Sequence, residues 1–261
     1  MTIKTALITG GASGLGYEFA TLLAKDAYHL ILIDIDSEKL KETKKKLEDK
    51  YKTQVITIRK DMSTHNCASE LFEEIKETPI DVLINNAGFG LYGHFHNTDW
   101  EREASMLNLH IISTTHLTKL ILKGMVEKGQ GKILNMSSLA AFQPGPLMSI
   151  YYASKAYILS FSEAIANELK GTGVTVTVLC PGQTKTSFQE VVSQETSENK
   201  IGFNMASPDE VAKYGYKAML NGESVVIPGN FNKFLSFLPR ILPRNIVAAI
   251  VRKIQEKNRA D

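Results

Sequence analysis

A short apolar run that opens into glycines, continues as a helical stretch and returns to a second apolar run ending on a carboxylate leaves a chain few ways to fold. Residues 4–34 have that order. Lys4–Thr9 (K-T-A-L-I-T) suits a buried strand, and T-G-G-A-S-G-L-G follows from Thr9 to Gly16. Gly10, Gly14 and Gly16 permit a tight turn, a close backbone approach and close helix packing. Ser13 and Leu15 lie between them, where unpaired N–H groups and the helix macrodipole favour an anion. Tyr17–Lys25 then places Phe19, Leu22 and Leu23 on one apolar face, and Leu30–Ile33 ends at Asp34, eighteen residues beyond Gly16.

The glycine loop is expected to hold a pyrophosphate. An acid at position 34 accepts hydrogen bonds from a ribose 2′-OH and repels a 2′-phosphate. Ile35 stands where an arginine would suit the extra phosphate, and Ser13 is not basic. NAD is therefore preferred to NADP.

The same rhythm runs on. Gln54–Ile58, Ile80–Ile84, Lys132–Asn135, Val174–Leu179 and Ser224–Ile227 read as strands. Ser37–Lys50, Cys67–Lys76, Trp100–Lys128, Tyr151–Lys170 and Pro208–Leu220 read as helices. Such alternation argues for a parallel sheet covered on both faces. With no Pro/Gly/Ser-rich linker, residues 1–261 read as one domain. A net charge of +2 offers no field for nucleic acid, and the lysines of residues 41–50 read as a wet helix face. Cys67 and Cys180 suggest reduced thiols, and the N-terminal apolar stretch is too short for a signal segment; the compartment expected is cytoplasmic.

Chemistry is concentrated in N-M-S-S, ending at Ser138, and in Y-Y-A-S-K, with Tyr151 and Lys155 four residues apart. Positions i and i+4 share a helix face, so phenol and ammonium can act on one site. A free tyrosine has a pKa of about 10 and needs on the order of 4 kcal/mol of anion stabilisation to work near pH 7. A nearby ammonium in a desolvated cleft is expected to supply much of it. Ser138 adds a hydrogen-bond donor for a substrate oxygen. The trio points to proton transfer at a carbonyl or alcohol.

Further candidates fall at the ends of strands, where open α/β sheets bind ligands. They are Asp61 and Met62, flanking an adenine; Asn85, Asn86, Ala87 and Gly88, a small-residue corner; and Pro181 and Gly182, lining a nicotinamide. With these in place, residues Ile3 to Thr186 resemble the short-chain dehydrogenase/reductase family, through T-G-G-A-S-G-L-G, D-M, N-N-A-G, N-M-S-S, Y-Y-A-S-K and P-G. The resemblance implies a doubly wound Rossmann fold with a seven-stranded parallel sheet, and hydride transfer between a nicotinamide and a carbonyl/alcohol pair. It implies Tyr151 as acid/base and Lys155 as the holder of the nicotinamide ribose that depresses the tyrosine pKa. Ser138 would position the substrate oxygen, and Thr184 would contact the carboxamide. Family members are commonly dimers or tetramers, so a homodimer or homotetramer is expected.

The asparagine that the family places ahead of the serine strand is missing from its slot. Counting from L-T-K (Leu117–Lys119), the slot falls on His110, with Asn108 two residues earlier; either the count is displaced or histidine substitutes. A histidine there would alter the pH dependence, since imidazole titrates near neutrality. His94 and His96 form H-x-H without a cysteine or carboxylate partner, so no metal is expected.

Residues 183–206 read as a substrate lid whose inner side would carry Phe188, Val191, Val192 and Phe203. Phe89, Leu91, Tyr92, Phe95, Phe142 and Leu147 would form the opposite wall, favouring an apolar or acyl-like carbonyl substrate. Residues 230–257 have three readings: a membrane-surface segment, a cover over the substrate pocket, or a dimer contact. The expected activity is an NAD(H)-dependent oxidoreductase of a secondary alcohol or ketone. The alternatives are an NADPH-dependent carbonyl or 3-oxoacyl reductase and a non-catalytic nucleotide-sensing or scaffold protein.

Overall fold

The computed structural model describes residues 3–185 and 205–259. Seven strands, all parallel, form one sheet: β1 (Thr5–Thr9), β2 (His29–Asp34), β3 (Val55–Arg59), β4 (Val82–Asn85), β5 (Gly131–Met136), β6 (Val174–Leu179) and β7 (Val225–Val226). Their spatial order is β3-β2-β1-β4-β5-β6-β7, so the chain reverses its direction of travel between β1 and β4. That switch point opens a crevice at the carboxyl ends of the strands, where ligands of such sheets bind. Register is tight there: Thr9 pairs with Ile33 on one side and with Asn85 on the other.

Side chains alternate across each strand, and the two faces bury separate cores. Ala6, Ile8, Leu30 and Leu32 pack against α1 (Gly14–Lys25), α2 (Ser37–Tyr51) and, later in the chain, Pro208–Asn221, through Phe19, Leu40, Leu47 and Met219. Leu7, Ile31, Ile33 and Leu83 face α3 (Cys67–Ile75) and α5 (Thr114–Lys128), meeting Leu71, Leu117 and Ile121. A strand buried on both faces must read as a near-continuous apolar run, which is why β1 and β2 were legible as sequence.

One element departs from expectation. The single helix predicted over Trp100–Lys128 is α4 (Trp100–Leu107), a π-helical turn (Asn108–Ser113) and then α5. Two residues apart on a helix, Asn108 and His110 point to different places. Asn108 donates to the Ser63 carbonyl, whereas His110 is buried towards α6 (Ser149–Glu168). Such bulges recur at functional positions. The helix α7 is Pro208–Asn221, and the tail folds as α8 (Asn230–Phe237), a 3₁₀ turn (Leu238–Arg240) and α9 (Arg244–Arg259). Phe188, Val191, Val192 and Phe203 lie outside the described residues.

Candidate active site

The phosphate side of the crevice is built from backbone. β1 runs into Gly10, whose φ of +64° is a left-handed conformation that other residues rarely adopt, and α1 begins at Gly14. At Gly16 a Cβ would stand 1.9 Å from the Gly10 carbonyl oxygen, so only a bare α-carbon fits. Ser13 is the N-cap but makes no side-chain capping bond. The Asn86 side chain donates to the Thr9 and Gly10 carbonyls at 3.1 and 2.9 Å, and Thr9 Oγ1 accepts from the backbone N–H groups of Asn86 and Ala87. The N-N-A-G corner is thereby bolted to the glycine loop. Thr9 does this work without having stood out in the sequence.

Asp34 closes β2 at the far side of the loop. Its carboxylate accepts from Ala12 N at 3.1 Å and from Asp36 N at 3.2 Å. A carboxylate offers about four lone-pair sites, so acceptor capacity remains for a ribose hydroxyl. Fixed backbone amides, side-chain-free glycine and an oriented acid suit an adenine dinucleotide. Asp61, exposed at the end of β3, is engaged by the Ser63 backbone and hydroxyl. Met62 corrects the adenine-flanking expectation for its side chain, which is buried with Ile33, Cys67 and Leu109 in the sheet core.

At the other end of the crevice, β5 leads to Ser137 and Ser138, and the first turns of α6 carry Tyr151 and Lys155. Ser138 accepts from Ala140 N at 3.1 Å, which starts a 3₁₀ turn, and its hydroxyl also hydrogen-bonds the Tyr151 phenol. Lys155 is buried; its Nζ donates to the Met136 carbonyl at 3.0 Å and lies 5.7 Å from the Tyr151 ring centre. Below, Ser137 donates to the Lys155 carbonyl, and Asn85, Thr118, Asn135 and Ser162 link β4, β5, α5 and α6 through buried hydrogen bonds. Asn85 therefore belongs to this structural network under the crevice.

The electrostatics differ from expectation. Burial pushes the Tyr151 pKa up to about 12, against a smaller downward pull from the Ser138 hydrogen bond. Lys155 is pulled down to about 8 by burial. The expected depression of the phenol by its neighbouring ammonium is absent: desolvation of the phenolate in this enclosed site dominates, and the lysine is aimed at a backbone carbonyl.

His110 occupies the slot left open by the sequence count. Its Nδ1 is 2.8 Å from Ser154 Oγ, and its Nε2 accepts from Phe89 N at 3.3 Å. An acceptor Nε2 assigns the proton to Nδ1, which donates to Ser154; Ser154 in turn donates to the Tyr151 carbonyl. A Cβ on Gly88 would sit 2.8 Å from His110 Nε2, so glycine is what admits the imidazole; Lys155 Nζ would stand 3.6 Å away, at ordinary contact distance. Burial, then the Lys155 charge, holds the imidazole pKa well below its ordinary range. The titration near neutrality expected from a histidine in this slot is thus corrected: His110 stays neutral.

Pro181 and Gly182 follow β6, with the Pro181 carbonyl accepting from Leu139 N. Thr184 Oγ1 donates to the Gly182 carbonyl at 3.2 Å and pairs through its backbone with Ala206. Of the anticipated substrate wall, Phe142 packs instead with Ile158, Val178 and Cys180, and Phe95 stands exposed. Tyr92 joins Tyr151, Met148 and Tyr152 in a cluster completed by Leu242, Val247 and Val251 of the tail. Gln255 donates to the Tyr152 hydroxyl at 2.7 Å. The inner face of α9 thus covers the start of the catalytic-motif helix. Among the described residues, no group of three His, Cys, Asp or Glu could hold a metal.

The short chain dehydrogenase family model matches residues 4–197. Ketoacyl reductase HetN of Nostoc sp. is 33% identical over 229 residues, 87% of this chain and 79% of that protein. A very-long-chain 3-oxoacyl-CoA reductase of Rattus norvegicus is 32% identical over 180 residues, 67% of this chain and 58% of that one. A solved structure from work on 7beta-hydroxysteroid dehydrogenase stereoselectivity superposes with a TM-score of 0.86 at 23% identity, covering 95% of this chain and 96% of the other; at that identity the likeness speaks for the fold. The chain belongs to the short-chain dehydrogenase family, oxidoreductases that act on hydroxyl and keto groups with a nicotinamide dinucleotide.

Proposed function

We propose that this chain is an NAD(H)-dependent oxidoreductase interconverting a secondary alcohol and a ketone on an apolar, acyl-like substrate. The observation that carries the reading is the convergence of Ser138, Tyr151 and Lys155 beside Gly88, at the end of the crevice opposite Asp34. When bound, the nicotinamide supplies or accepts the hydride. Ser138 orients the substrate oxygen, and Tyr151 moves the proton between that oxygen and its own phenol. With a pKa pushed up to about 12 the phenol is held protonated, as a proton donor to a forming alkoxide requires. Lys155, with its ammonium fixed by the Met136 carbonyl, would hold the cofactor ribose. Pro181, Gly182 and Thr184 line the nicotinamide side.

Asp34 supports NAD, since a carboxylate beside a 2′-phosphate repels it and no arginine follows. The ketoacyl and 3-oxoacyl-CoA reductases among its relatives support an acyl-like ketone, as do Tyr92 and Leu242, which pack in one cluster with Tyr151. The test is a spectrophotometric assay with NADH and medium-chain 3-oxoacyl thioesters. Tyr151→Phe is expected to bind NADH as the parent does while turnover falls at least about a thousandfold. Undiminished turnover would remove the tyrosine from the mechanism.

A further inference from the structure

The tail is two-faced. In α9, Val247 and Val251 are buried against Met148 and Tyr152, while Ile246, Ile250 and Ile254, one position earlier or three later in the helix, are 46, 44 and 51% exposed. Lys253 and Lys257 are exposed and share that outer stripe with Ile250 and Ile254, at i+3, i+4 and i+7. In α8, Phe231, Phe234 and Leu235 repeat the pattern, and Phe237 and Ile241 follow, all exposed. Water-facing aliphatic and aromatic groups at this density, on helices already docked by their other face, mark a contact surface.

Charge identifies the occupant. Residues 230–259 hold seven Lys or Arg and one Glu, while the rest of the chain has more acids than bases. A two-fold contact between copies would bring like charges together, which disfavours self-association through this face. An apolar ladder flanked by lysines, whose stems bury while their ammonium heads reach outward, matches an anionic amphiphilic surface. No helix among the described residues is long and apolar enough to cross a membrane. We infer that the outer face of α8 and α9 docks the protein onto the surface of an anionic lipid bilayer. The inner face of α9 touches Met148 and Tyr152, so the bilayer would lie roughly one helix diameter, about 10 Å, from the start of the catalytic-motif helix. A long acyl chain could then pass between lipid and pocket without crossing water.

The experiment uses the full chain without substrate or cofactor, so its outcome is independent of the proposed redox activity. Extruded phosphatidylcholine vesicles, with and without about one-third phosphatidylserine, are mixed with protein and sedimented at low and high salt. Binding is expected to the anionic vesicles, to weaken in high salt, and to be slight on pure phosphatidylcholine. Ile250→Asp/Ile254→Asp is expected to weaken it at least about tenfold with an unchanged unfolding midpoint, because both side chains already face water. Lys253→Gln/Lys257→Gln is expected to reduce the anionic preference. Absence of sedimentation with anionic vesicles overturns the inference. So does a concentration-dependent dimer that Ile250→Asp dissolves without vesicle binding, which would assign the face to a second copy.

Discussion

Replacing Lys155 by Met tests whether the site stores a buried charge at the expense of the fold. Burial pulls this ammonium from an ordinary 10.5 to about 8, a gap of about 2.5 pH units. Each unit corresponds to about 1.36 kcal/mol, so below pH 8 the native state carries a penalty of roughly 3 kcal/mol that the unfolded chain does not. The sign follows from the lowered pKa. Between pH 8 and 10.5 the unfolded chain binds the proton and the native protein does not, so stability rises with pH across that window. From pH 7 to pH 10 the parent should gain roughly 2 to 3 kcal/mol that Lys155→Met lacks, once groups common to both cancel. Tyr151 and Cys180, both pushed up to about 12 in the folded protein, begin to lose their protons in this range only in the unfolded chain, a contribution that parent and variant share. At pH 7 the variant should be level with the parent or more stable by about 1–2 kcal/mol, because losing the bond to the Met136 carbonyl offsets part of the relief. Urea unfolding of both proteins at half-unit steps from pH 7 to 10 measures the difference. Parallel curves across that range would refute the argument.

Asp34→Ala should shrink the ratio of NADPH to NADH dissociation constants by about tenfold or more, read by fluorescence quenching; a fixed ratio would show that Asp34 does not read the ribose. His110→Asn preserves a donor and an acceptor for Ser154 and Phe89, so turnover should stay within about tenfold of the parent. Because burial keeps His110 neutral, the pH–rate profile between about pH 5.5 and 7.5 should be the same in both proteins. An acid limb near pH 6.5 that vanishes in the variant would count against a neutral imidazole. Gly16→Ala drives a methyl into the Gly10 carbonyl and should abolish NADH binding, whereas Gly124→Ala in α5 meets nothing within 4 Å and should stabilise by about 0.5–1 kcal/mol. Thermal unfolding with and without NADH separates the two.

Local patterns carried a good part of this molecule. β6 stands at Val174–Leu179 as read from its apolar run, and the glycine loop, Asp34 and the alternation of strand and helix follow from periodicity and turn chemistry, whereas the doubly wound arrangement was implied by the family resemblance. Those features depend on short stretches of chain, which a sequence displays directly. The π turn at Asn108–Ser113 does not, because a one-residue widening of a helix leaves no mark in hydrophobic spacing. Counting left the slot open between a displaced count and a substituting His110, and the neutrality of His110 required knowing that Lys155, Ser154 and the Phe89 backbone surround it.

The tail shows the same division. Its apolar and basic residues were visible as composition, and that composition favoured a pocket cover or a dimer contact over a membrane surface. Only packing separated Val247 and Val251, turned inward onto Tyr152, from Ile246, Ile250 and Ile254, turned out. Residue order along the chain determined the sheet, the phosphate loop and the identity of the reactive side chains, because covalent neighbours fix strand, turn and helix. Burial, proton affinity and the facing of α9 arise from contacts between segments distant in sequence, and folding alone brings those together.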